Sequence, residues 1–151
     1  WEQSFYFGDT SATEVTYKRV FVGFKETITA ITNVDPSTLG SAFGMACDGA
    51  DTNYQFMYNF NGMGLTKIDL GISKTGAGVD FFHLKISKKA NERIINYYVK
   101  NIITGVEVSG SVSYLSGANS KCCLEHIHIN NNTTAEPVRI GFGQISMKDY
   151  Y

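Results

Sequence analysis

The feature that most limits what this chain can fold into is a period of two, written in short runs. In residues 79–87, VDFFHLKIS, the side chains of Phe82, Leu84 and Ile86 alternate with Phe81, His83 and Lys85. In residues 53–60, NYQFMYNF, Tyr54, Phe56, Tyr58 and Phe60 alternate with Gln55, Met57 and Asn59. An extended backbone sends successive side chains to opposite faces, so each run makes one apolar face and one mixed face. A helix would scatter the same residues around its axis. These runs are therefore predicted to be strands, with Phe82, Leu84 and Ile86 turned inward.

Taken in order, the chain repeats this pattern. Aromatic and β-branched residues recur in 1–7 and 14–24, with Val15, Tyr17, Val20, Val22 and Phe24 as candidate buried positions. Residues 26–34, ETITAITNV, alternate apolar with small polar side chains and stop at the turn signal Asp35-Pro36-Ser37. Gly40, Gly44 and Gly49 around Phe43, Met45 and Cys47 point to a strand with close backbone approach or a bulge. Further strands are expected through Ile68, Leu70 and Ile72, through 94–100, 106–114 and 124–129, and through Ile140, Phe142 and Ile145. The spacing gives roughly ten or eleven strands at intervals of about 8–12 residues. Only residues 88–92 suit a helical turn. The expected fold is all-β: a single antiparallel β-sandwich of the concanavalin-like or jelly-roll kind, spanning 1–151 as one domain.

Composition narrows the function classes. Net charge is −1 with no run of like charges, which gives no footing for nucleic acid or an anionic membrane. No apolar run approaches a membrane span. The chain starts at Trp1 rather than Met, as a processed chain or a fragment would. Its three cysteines leave open whether Cys47 pairs with Cys122 or with Cys123, or whether all stay reduced. Asn131 and Asn132 each open an N-x-T glycosylation acceptor, which favours a secreted or surface location.

Three groups of residues carry possible chemistry. Glu125 shares a strand face with Ile127 and Ile129, an apolar setting that would raise its pKa toward the range of a general acid or base. The same carboxyl would equally serve in an ion pair with a neighbouring strand. His126 and His128 lie two apart with Cys122 and Cys123 nearby, and His83 or Asp80 in reserve. That spacing fits no zinc signature, so no metal and no cofactor is expected. Tyr54, Gln55, Tyr58 and Asn59, with His126, supply rings and amides, the groups by which proteins stack on and hydrogen-bond to sugars. Patterns for a serine or cysteine nucleophile, a P-loop or a dinucleotide site are absent.

Parts of the chain resemble known families. Asn101, Thr104, Gly105 and Val108 fit the N-x-x-T-G-x-x-V turn of the glutamic peptidases of the eqolisin type. Cys122 or Cys123 stands where that family has a cysteine, and Glu125-His126-Ile127-His128-Ile129 follows its acid-bearing strand. Pro137 to Ile145 resembles its closing strand, and NYQFMYNF its aromatic strand. The resemblance implies a concanavalin-like sandwich with a concave face, on which a glutamate and a glutamine activate water. Glu125 would be that acid. The family's glutamine position falls near Phe43, where this chain has no glutamine. Residues 20–35 with the aromatic strand after them resemble the H-type lectins, sandwiches that bind sugars as oligomers. With the glutamine position empty, the expected function is non-enzymatic recognition of a glycan or glycoprotein by a homo-oligomer. A peptidase-like hydrolase using Glu125 and a structural coat or appendage subunit are the alternatives.

Overall fold

A computed structural model describes residues 2–9, 18–27, 29–60, 64–74, 78–89, 92–113, 124–130 and 139–146. Ten strands run through them: β1 (Glu2–Asp9), β2 (Arg19–Lys25), β3 (Ala42–Cys47), β4 (Asn53–Asn59), β5 (Thr66–Ser73), β6 (Gly78–Ser87), β7 (Ile94–Asn101), β8 (Glu107–Ser113), β9 (Leu124–Asn130) and β10 (Arg139–Ser146). They form two five-stranded sheets, one in the order β10-β1-β6-β7-β8 and the other β5-β4-β3-β2-β9. Every pairing is antiparallel. The protein is an all-β antiparallel sandwich, as the alternation predicts.

One core joins the sheets. From β2 to β5 it takes Val20, Val22, Met45, Cys47, Tyr54, Phe56, Leu70 and Ile72, and from β6 to β8 Phe82, Leu84, Ile86, Ile95, Tyr97, Val99 and Val112. Two aromatic contacts cross the gap between sheets: Phe56 stacks on Tyr97 at 4.0 Å, and Tyr54 meets Phe82 edge-on at 4.9 Å. Each large side chain buried here contributes about 2 kcal/mol by leaving water. Tyr97 reaches its place because Gly110, its partner on β8, has no side chain; a Cβ there would overlap the phenol ring.

The segment 26–41 departs from the sequence expectation over residues 26–34, which the alternation reads as a strand. Its described residues form a loop with one short 3-10 turn, Pro36–Thr38, and not a strand. Both edges of β2 are already taken, by β3 and β9, so this segment cannot fold back to pair with the strand it follows. The Lys25 ammonium also gathers the carbonyls of Thr27 and Thr29, which bends the chain away. The loop lies over the outer face of the β2–β5 sheet, where Leu39 and Ile31 pack with Phe21, Ala42, Ala46 and Met57. Arg19 and the Gly49 amide both hold Asp35, which pins the loop at one end. Burial works against the Asp35 carboxylate, but these two partners keep its pKa below the ordinary value.

Candidate functional site

Strand parity decides which of the expected ligand residues can act together. Tyr54 and Tyr58 face the interior with Phe56, whereas Gln55 and Asn59 share the opposite face of β4 with Met57. Tyr54 is fully buried, and its hydroxyl donates to Asp80 at 2.7 Å. It is a core residue and not part of a surface. Gln55 is buried too, at 9% exposure, with its amide donating to the Asn53 carbonyl. The Asn59 amide donates to the Leu39 carbonyl of the covering loop, and its Oδ1 is buried without a hydrogen-bond partner. The four residues therefore do not form one surface, because neighbours in a strand cannot share a face and the loop closes the outer one.

What the register does assemble is an aromatic row. Phe24, Phe43 and Tyr58 stand side by side on β2, β3 and β4, with Thr66 next on β5. Phe24 stacks on Phe43 at 5.2 Å, and Phe60 closes against Phe43 at 5.8 Å and Tyr58 at 5.6 Å. All four rings pack against the core yet are only partly buried. On β9, Glu125 is registered opposite Phe24. With strands about 4.8 Å apart, the row from β9 to β4 spans about 14 Å. Nothing in the sequence marks Phe24 and Phe43 as neighbours, since only the β2–β3 pairing brings them together.

His126 is registered opposite Gly23, and His128 opposite Phe21, on the other parity from Glu125. His128 is half-buried; desolvation first, then the Arg19 charge, lowers its pKa and favours the neutral ring. Among the described residues no cluster of three or more His, Cys, Asp or Glu could hold a metal. Cys122 and Cys123, the sequons at Asn131 and Asn132, and the side chains of Glu125 and His126 lie outside the described residues.

Cys47 is a free, buried thiol, and burial pushes its pKa up to about 11. In a Cys122→Ser/Cys123→Ser background, the folded protein should resist iodoacetamide at pH 8 and label at once in denaturant. Above pH 9.0, where an unfolded thiol ionises, unfolding gains a thiolate that the fold refuses. The stabilisation present below pH 9 should be withdrawn as pH rises toward 11, and Cys47→Ala should remove that slope in thermal melts.

A second cluster is wholly internal. Asp80 accepts hydrogen bonds from Tyr54, from Asn101 at 3.3 Å and from Lys18 at 3.5 Å, and the Lys18 ammonium sits 5.7 Å from the Tyr54 ring centre. Lys18 and Asp80 are 0% and 1% exposed, so the pair is closed off from solvent. This cluster ties the two sheets together.

No family profile matches the chain, and no curated protein matches it. Among solved structures it is similar to SCP-B, a member of the eqolisin family of peptidases, in complex with the tripeptide Ala-Ile-His. Identity is 18% and the TM-score 0.46, covering 95% of this chain and 67% of that one. This is the family whose motifs the sequence resembles. The described residues contain no helix long and apolar enough to cross a membrane.

Proposed function

We propose that the chain is a recognition module that binds a ring-bearing ligand, a glycan in the first instance, along the row Phe24–Phe43–Tyr58–Phe60. The observation that carries this reading is a set of four rings that contact one another across β2, β3 and the end of β4 and yet are only partly buried. Such a row offers flat apolar area at little conformational cost, and sugar rings present matching C–H faces. Tyr58 adds a hydroxyl for hydrogen bonding to a ligand, and the β2–β9 register sets position 125 opposite Phe24.

A glycan array probed with the intact chain, followed by titration of the best ligand, tests this. Tyr58→Leu and Phe60→Ala should each weaken binding about tenfold, the scale of one aromatic contact. Gln55→Ala, on the opposite face of β4, should leave affinity unchanged. No binding across a broad array sinks the reading.

The register of Glu125 against this row also favours a second reading, a hydrolase using Glu125 on a ligand held by the rings. Cleavage of a denatured protein at acid pH that disappears in Glu125→Gln would replace recognition with catalysis. The Gln55 position does not complete a dyad with it: Gln55 lies on the other face of the sheet, across two intervening strands.

A further inference from the structure

The two sheets end in four edge strands, β5 and β9 in one and β8 and β10 in the other. Exposed edges invite pairing with another chain, and proteins usually blunt them with charges, prolines or bulges. The pairing that places β5 has a register shift and Gly71 at φ +63°, and β5 carries Lys67 and Asp69. The pairing that places β10 is also shifted, and β10 opens on Arg139. β9 carries Glu125, His126 and His128 in its middle. β8 has none of these devices. It pairs with β7 without a shift over its whole length, and its one charge, Glu107, stands at its end.

The sequence of β8 is also nearly a palindrome about Gly110. Ser109 mirrors Ser111, and Val108 mirrors Val112. An antiparallel pair of identical strands related by a two-fold axis at Gly110 would set Val108 against the second copy's Val112, Ser109 against its Ser111, and Glu107 against its Ser113. No like charges meet, and the closest approach falls on two glycines. The backbone polarity fits as well. The Val106 carbonyl accepts from the Asn101 amide, so alternation turns Val108, Gly110 and Val112 toward β7. Glu107, Ser109, Ser111 and Ser113 then turn their amides and carbonyls to the open side, enough for about eight backbone hydrogen bonds across the axis. Val108 is only partly buried against the core, and Val112 of the second copy would cover it.

We infer that β8 is a homodimerisation edge: two copies of this chain join β8 to β8 in antiparallel register about Gly110, making one continuous ten-stranded sheet. The occupant is a second copy because the strand is complementary to itself in sequence, charge and hydrogen-bonding phase.

Sedimentation velocity on the intact chain tests this. The wild type should run as a dimer. Ser111→Pro removes an amide on the open side, where an edge strand tolerates proline, and should give a folded monomer with unchanged circular dichroism. A Ser109→Glu/Ser111→Glu chain should also be monomeric, because each glutamate then faces another. A Ser109→Lys/Ser111→Lys chain should be monomeric for the same reason, and an equimolar mixture of the two should form heterodimers. If Ser111→Pro fails to fold, the charge pair still decides. A wild type that stays monomeric up to about 100 μM overturns the inference. So does a dimer that persists in both the proline and the glutamate variants.

Discussion

Asp80→Ala should lose about 3–5 kcal/mol of folding stability, read as a lower urea midpoint at unchanged slope. The reason is the company Asp80 keeps. Its carboxylate accepts from Lys18, Tyr54 and Asn101, and both ions of the pair are buried to 1% exposure or less. Truncation removes one charged acceptor shared by a buried ammonium, a buried phenol and a buried amide, so three hydrogen bonds inside the core are lost at once. The damage reaches further, because Asn101 Oδ1 accepts the amides of Ile103 and Thr104 that form the β7–β8 turn. Asp80→Asn keeps the shape and removes the charge, so a comparable loss would show that charge is the source. Replacing the pair together, Lys18→Met with Asp80→Leu, should lose less than Asp80→Ala alone, since no buried ammonium remains, although the Tyr54 hydroxyl and the Asn101 amide still lose this acceptor. A loss below about 1 kcal/mol for Asp80→Ala would mean that water reaches the pair.

That cluster also shows how far the sequence could be read. Period-two alternation identifies Phe82, Leu84 and Ile86 as interior and Phe81, His83 and Lys85 as exterior, because parity is a local property of an extended chain. The structure bears this out: Phe82, Leu84 and Ile86 are core residues. Residues 26–34 show the limit. Their alternation is as good as that of a strand, yet a strand also needs a free neighbour, and β2 has none to offer. The site shows the same limit more sharply. Tyr54, Gln55, Tyr58 and Asn59 look like a group because they are close in sequence, but parity divides them and burial removes Tyr54. Phe24, Phe43 and Tyr58 become a row through the β2–β3 and β3–β4 registers, which no local pattern specifies. Lys18 and Asp80, 62 residues apart, meet for the same reason.

The aromatic row depends in turn on a pair of glycines. Gly23 and Gly44 are registered opposite each other between β2 and β3, one residue from Phe24 and Phe43. A Cβ on Gly44 would sit 2.7 Å from the Gly23 Cα and overlap the Val22 carbonyl; one on Gly23 would sit 2.6 Å from the Gly44 Cα. These neighbours are backbone, so no side-chain rotation relieves the overlap and a strand must move. Gly44→Ala should therefore cost about 3 kcal/mol, the upper range for overpacking. Shifting β3 against β2 also pulls apart the Phe24–Phe43 stack, so ligand affinity should fall even where the variant remains folded. Gly40→Ala provides the contrast: nothing lies within 4 Å of its Cβ, and the substitution should be neutral or slightly stabilising. Equal melting temperatures for Gly44→Ala and Gly40→Ala would refute the close approach of β2 and β3. A destabilised Gly44→Ala that binds as tightly as wild type would instead move the ligand away from the row, leaving the glycines a purely structural role.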